Sequence, residues 1–150
     1  MYRKKIFLFI GRICLSIIFL VSATSKILGK SSWDSEIAQT EAAFTRWQQA
    51  ISVSSPLHGW IDRFSYYTPI LMGIAVMMEI LGALFVLLGF KVRLGSSLLA
   101  FFILFVTLIM HPFWLSYGEA SVIESIMFMK NLAIFGGLLI LASCAEEGEI

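Results

Sequence analysis

Four long apolar runs alternate with polar segments along the chain. The runs cover about residues 6–28, 68–90, 94–112 and 125–143. A transmembrane helix needs roughly 20 mostly apolar residues, and each run is about that long. The pattern therefore predicts an all-α protein, in which four transmembrane helices form a bundle within one domain of 150 residues.

The longest polar segment, residues 29–67, separates the first two spans and is too long to lack structure in a compact protein. Ile37, Phe44, Trp47 and Ile51 share one face of a helix there, and Pro56 is expected to end that helix. This amphipathic helix either caps the bundle at the membrane interface or binds a partner protein through Phe44 and Trp47.

The composition indicates that most of the chain is surrounded by lipid. Hydrophobic residues make up 59% of the sequence and charged residues 14%, whereas soluble domains carry about 25% charged residues. The net charge is +1, and no basic segment interleaved with aromatic residues indicates nucleic-acid binding. Cys14 and Cys144 form no CxxC motif, and His58 and His111 give no metal-ligand spacing.

The basic residues favour cytoplasmic termini. Four spans place both termini on one side of the membrane, together with the short segment between the second and third spans. That side carries Arg3, Lys4, Lys5, Lys91 and Arg93, whereas the basic residues of the opposite side are diluted along the extracytoplasmic loop 29–67. The positive-inside rule then predicts cytoplasmic termini. We expect the first span to be retained rather than cleaved as a signal peptide, because its apolar stretch is long and contains Arg12.

Arg12, Glu79 and Lys130 are ionisable residues that lie away from the ends of the predicted spans. A charge at mid-depth costs about 2.5 kcal/mol or more, so such residues face protein or a wet cavity and usually find a partner. Counted from the span ends, Glu79 lies within reach of both cations, and Asn131 could add hydrogen bonds. The four residues are expected to form either a buried ion network that fixes helix register or a pocket for a headgroup, a quinone or a proton.

Lys26 and His111 end the first and third spans on the opposite side from the termini. Lys26 either snorkels to the interface or forms a polar site there with His111. The sequence contains no Gly-rich phosphate loop and no Ser-His-Asp set.

Certain polar and small residues occur in a particular order along the four spans. The order is Gly11-Arg12, Phe19, Ser22-Ala23 and Lys26-Ile27-Leu28 in the first span, Glu79, Gly82, Leu87-Leu88-Gly89 and Arg93 around the second, His111-Pro112-Phe113-Trp114 after the third, and Phe128-Met129-Lys130-Asn131 through Gly136-Gly137 in the fourth. This order resembles the DoxX family of small four-helix membrane proteins, and the resemblance covers all four spans but not the long loop. It implies a four-helix bundle in a bacterial inner membrane.

The resemblance implies a redox-associated subunit, because some DoxX members look like subunits of quinone-linked sulfur oxidation systems and others associate with redox-protective complexes. We therefore expect the polar pocket to hold a quinone-like or other small polar-headed ligand, with the cations stabilising negative charge and Glu79 accepting or relaying a proton. Two alternatives stay open: a non-enzymatic membrane chaperone or accessory subunit that binds a membrane or extracytoplasmic protein, and a small transporter. The sequence also leaves open whether the protein is an enzyme and whether it forms an oligomer.

Overall fold

The computed structural model describes residues 2–28 and 33–145, and these residues form helices joined by short connections. The helices are α1 (Tyr2–Leu28), α2 (Trp33–Ala50), α3 (Pro56–Tyr66), α4 (Thr68–Leu88), α5 (Val92–Met110) and α6 (Glu119–Cys144), with a short 3₁₀ helix at Phe113–Leu115. No strand occurs within the described ranges. The predicted all-α class is confirmed.

Four helices are long and apolar enough to cross a membrane, as the sequence predicts. These candidate spans are Lys5–Leu28, Thr68–Leu88, Val92–Leu115 and Glu119–Cys144. α1, α4, α5 and α6 pack in a closed ring, in which α1 contacts α4 and α6, and α5 contacts α4 and α6. One end of this bundle, here called the terminal end, holds the start of α1, the α4–α5 turn and the end of α6. The other, the loop end, holds α2 and α3.

Small and aliphatic side chains fill the interior of the bundle, whereas large apolar side chains cover its outside. Ala83, Val86, Leu99 and Leu138 are fully buried. Exposed Phe, Ile and Leu side chains occur along all four spans. A water-soluble protein rarely exposes so much apolar surface, so these side chains form the face that contacts lipid.

α4 and α5 approach each other through two glycines. A Cβ atom on Gly95 would lie 2.9 Å from the carbonyl oxygen of Gly82, and one on Gly82 would lie 2.7 Å from Cγ of Leu99. Small residues permit such close backbone contact between transmembrane helices, where hydrophobicity gives little net drive for association. The contact fixes the depth of α4 relative to α5.

The long loop contains two helices rather than one. The predicted amphipathic helix is α2, but it ends at Ala50, before Ile51 and well before Pro56. Pro56 instead occupies the first turn of α3, and the Ser55 side chain accepts a hydrogen bond from the Leu57 amide. The expectation that Pro56 ends a helix is wrong, because a proline in the first helical turn loses no hydrogen bond and its fixed φ suits the helix.

A left-handed turn joins α4 to α5. Gly89 (φ 78°) ends α4, and Lys91 (φ 46°) precedes α5. Left-handed backbone is routine for glycine but costs other L-residues about 1–2 kcal/mol. A side chain at Gly89 would also collide with the Arg12 guanidinium.

We expect Gly89→Ala to lower the free energy of unfolding by about 1–2 kcal/mol, because alanine would be strained at this φ. The measurement is denaturation of the purified protein in detergent. Gly136→Ala is the matched control, since a Cβ there meets no atom within 4 Å and alanine favours helix over glycine. Equal stability of the two variants would contradict the prediction.

Candidate functional site

The most deeply buried charge in the described part of the chain is the carboxylate of Glu79, halfway along α4. Glu79 is 2% exposed. Its Oε2 accepts a hydrogen bond from Nζ of Lys26 at 2.7 Å, and its Oε1 accepts one from Oγ of Ser22 at 2.9 Å. Ser22 and Lys26 are four residues apart on α1 and therefore share a helix face. α1 thus supplies both donors to the carboxylate of α4.

Lys26 links this buried carboxylate to the loop end of the bundle. Its side chain is 17% exposed, and Nζ lies 5.7 Å from the ring centroid of Phe102 on α5, a distance suited to a cation–π contact. A lysine ammonium carries three donors, of which Glu79 takes one. We refer to Ser22, Lys26, Glu79 and Phe102 as the carboxylate centre.

The expectation that Glu79 lies between Arg12 and Lys130 is wrong, since the partner of Glu79 is Lys26. Arg12 donates through Nε to the Val86 carbonyl at 2.8 Å and through Nη2 to the Leu87 carbonyl at 3.3 Å. α1 and α4 pack side by side with Ser22 opposite Glu79. Arg12, about 15 Å further along α1, therefore meets the end of α4.

Lys130 and Asn131 also lie in separate places. Lys130 is exposed on α6, with Nζ 3.3 Å from Sδ of Met127 in the same helix. Asn131 is buried and lines a small cavity of about 20 Å³ with Thr107 and Phe128. Consecutive residues of a helix point about 100° apart, so the adjacency of these two residues in sequence does not carry into the fold.

His111 belongs to a second polar cluster at the loop end and not to a site with Lys26. Its Nδ1 lies 2.7 Å from Oε2 of Glu124 on α6. Arg46 of α2 donates to Oε1 of Glu124 at 3.1 Å and to the Met110 carbonyl at 3.1 Å. Sequence reasoning missed Arg46 and Glu124. Arg46 lies on the polar face of the predicted loop helix, and Glu124 lies just before the predicted fourth span, so neither stands out as a buried charge.

The apolar face of α2 packs against its own chain. Phe44 is buried and stacks on Phe64 of α3. Nε1 of Trp47 donates to the Ile109 carbonyl at 3.2 Å, and its ring meets Trp114 edge-on. The last carbonyls of a helix need partners, and here α2 supplies them to α5. These contacts favour the interpretation of α2 as a cap on the bundle.

We expect Arg46→Met to weaken the attachment of α2, because two hydrogen bonds of a charged donor are lost, each with a net contribution of about 1.5–3 kcal/mol. Hydrogen exchange should then be about tenfold or more faster in α2 than in the wild type. Arg63→Met, which removes an exposed guanidinium lying over Trp60, should leave α2 exchange unchanged. Slow exchange in both variants would show that Arg46 does not hold α2.

Within residues 2–28 and 33–145, no group of three or more His, Cys, Asp or Glu side chains is placed to hold a metal ion. Cys14 and Cys144 are not joined by a disulfide, and Cys14 is exposed.

Comparison with known proteins agrees with this architecture. The DoxX family model matches residues 7–112, which include Arg12, Lys26, Glu79 and His111 but end before α6. The matched range thus contains the long loop and omits the fourth span, unlike the resemblance drawn from the residues. The Inner membrane protein YphA of Escherichia coli (strain K12) is 29% identical over 140 residues, covering 93% of this chain and 83% of that protein. No solved structure matches significantly.

The family model covers more than two thirds of the chain and spans both residues of the Glu79–Lys26 pair. The four candidate spans and the inner-membrane relative agree on a multi-pass inner membrane protein. The chain belongs to the DoxX family.

Proposed function

We propose that this protein is a redox-associated subunit of the bacterial inner membrane, with both termini in the cytoplasm, that binds the polar headgroup of a quinone-like molecule at the carboxylate centre. One observation carries the proposal. A mid-span carboxylate is held by Lys26 and Ser22 at 2.7 and 2.9 Å, and the lysine is partly exposed at the loop end. Ionisable groups inside spans commonly mark ligand sites or proton relays.

The donors and acceptors of the centre suit such a headgroup. Lys26 offers further N–H donors to a carbonyl oxygen, and its charge would stabilise negative charge that develops there. Glu79 would accept or relay a proton. The cavity at Asn131 is not lined by Glu79 or Lys26, and neither is a larger one beside Arg12. The headgroup would therefore approach the exposed part of Lys26 from the lipid side.

Electron transfer itself belongs to the ligand and to a redox partner, and the protein's contribution is binding, orientation and electrostatics. In this proposal Ser22 and Phe102 are positioning residues. Ser22 fixes one carboxylate oxygen, and Phe102 lies beside the ammonium on which the ligand would bind.

The test is the quinone content of the protein purified in mild detergent, together with tryptophan-fluorescence titration by a short-chain ubiquinone analogue. Wild-type protein should retain quinone, and Glu79→Gln and Lys26→Arg should bind the analogue several-fold more weakly while staying folded. Lys130→Gln, an exposed cation of α6, is the matched control. Absence of quinone, unaltered titrations and no respiratory phenotype of Glu79→Gln would reject the proposal.

A protein-binding accessory or chaperone role is the second proposal, and the exposed aromatic residues of α3 favour it. Trp60 and Tyr66 are 55% and 79% exposed, whereas Phe44 and Trp47 are engaged within the chain. Crosslinking from Trp60 and Tyr66 positions should then recover one specific protein, and recovery of lipid adducts alone would argue against it. The third hypothesis, a small transporter, is not favoured by any comparable contact among the described residues.

A further inference from the structure

A cavity of about 300 Å³ opens at the terminal end of the bundle, about 15 Å along α1 from the carboxylate centre. Its lining comes from α1, the start of α5 and the end of α6. The lining includes Lys5, Leu8, Phe9, Arg12, Val92 and Leu141. This volume is at the lower limit for small-ligand sites and suits a headgroup rather than a whole amphiphile.

The described lining of the cavity carries positive charge. Lys5 and Arg12 both line it and stand two turns apart on α1, about 10 Å along the helix axis. No carboxylate is among the lining residues that the structure describes. The two hydrogen bonds from Arg12 to the Val86 and Leu87 carbonyls use two of its five N–H donors. These bonds also hold the guanidinium in place without neutralising its charge.

The two cations lie where polar and apolar surroundings meet, as they do between the headgroup and the acyl chains of an amphiphile. The first candidate span begins at Lys5, so Lys5 stands at the level of the lipid headgroups and Arg12 lies deeper. Leu8, Phe9 and Leu141 form an apolar wall beside them. A soluble anion would use the cations but not this wall.

We infer that the cavity binds the phosphate of an anionic phospholipid, with Lys5 and Arg12 on the phosphate and the acyl chains along Leu8 and Phe9. Arginine suits phosphate because its planar donors bind two oxygens at once, and basic pockets between transmembrane helices are typical sites for acidic headgroups. This site is separate from the carboxylate centre, so its failure would leave the proposed function untouched, and the reverse also holds.

Native mass spectrometry of the full-length protein with equal amounts of phosphatidylglycerol and phosphatidylcholine tests the inference. One phosphatidylglycerol should be retained in preference to phosphatidylcholine. Lys5→Gln, which leaves both Arg12 hydrogen bonds intact, should weaken phosphatidylglycerol binding about fivefold. Arg12→Lys, which keeps the charge but not the planar donors, should also weaken it. Lys130→Gln, with the same loss of charge at a distant exposed position, should not.

Three results would overturn the inference. The first is equal retention of the two lipids by the wild type. The second is displacement of phosphatidylglycerol by inorganic phosphate at equal concentration, which would assign the cavity to free phosphate. The third is selectivity that appears only after Glu146, Glu147 and Glu149 are changed to glutamine, which would assign the cavity to the chain's own carboxylates.

Discussion

Lys26→Met should lower the free energy of unfolding by about 3–5 kcal/mol, because removal of one partner leaves the other charge buried and unpaired. Glu79 is 2% exposed and lies halfway along α4, so its carboxylate cannot reach water without separation of α1 from α4. Ser22 alone would remain as its donor. Denaturation in mixed micelles, followed by circular dichroism or tryptophan fluorescence, gives the measurement.

Two further variants show whether the loss of stability comes from the broken ion pair or from the removal of a lysine as such. Lys130→Met removes an exposed lysine whose contact is to Met127 of its own helix, and its stability should stay within about 0.5 kcal/mol of the wild type. Glu79→Gln added to Lys26→Met should recover most of the loss, since no net charge then remains buried. A single variant as stable as Lys130→Met would show that the pair does not stabilise the fold.

Gly95→Leu should destabilise the protein by about 3 kcal/mol, since overpacking of a dense contact costs 1–3 kcal/mol or more. A Cβ on Gly95 would lie 2.7 Å from Cβ of Phe85 and 2.9 Å from the Gly82 carbonyl oxygen. The oxygen belongs to the backbone and cannot turn aside as the end of a side chain can. α4 must therefore move away from α5. Gly95→Ala should already lose stability, although alanine normally favours a helix by about 1 kcal/mol over glycine.

Gly73→Leu is the matched control for this substitution. Gly73 lies on the same helix as Gly82, it is exposed, and a Cβ there meets no atom within 4 Å. Leucine at position 73 should be neutral or slightly stabilising. Comparable destabilisation at positions 73 and 95 would mean that leucine disturbs these helices in general and that no close backbone contact exists.

The four spans could be predicted from sequence because the bilayer demands long apolar runs, and such runs occur at four places in the chain. The ends of the helices are harder to predict from the sequence than their existence. α6 begins at Glu119, whereas the apolar run begins near residue 125. The polar residues Glu119, Ser121 and Glu124 of its first turns make this part of the helix look like a loop in the sequence. α3 is missed because Pro56 is read as a helix stop, although Leu57, Trp60, Ile61 and Phe64 have the spacing of an amphipathic helix.

The carboxylate centre was only partly predictable. Glu79 stood out as a charge in an apolar run, but depth counted from approximate span ends favoured Arg12 and Lys130 as partners. Lys26 lies at the end of α1, where snorkelling to the interface is the simpler expectation. Its side chain instead follows the general lean of helical side chains toward the N-terminus of their helix and reaches Glu79 beside Ser22. Ser22 is uncharged, so a search for ionisable residues passes over it. The acceptors of Arg12 are main-chain carbonyls, which no residue pattern can reveal.

The contacts that Arg12 makes with the end of α4 bear on the order in which the protein is assembled during synthesis. The first span leaves the ribosome with an arginine whose acceptors, the carbonyls of residues 86 and 87, are still some 70 residues from being translated. Until the second span is inserted, that arginine must be solvated by the translocon, by lipid phosphates or by water. Insertion of α4 therefore satisfies the guanidinium of the first span, so the polar contacts of α1 are complete only after α4 has been inserted.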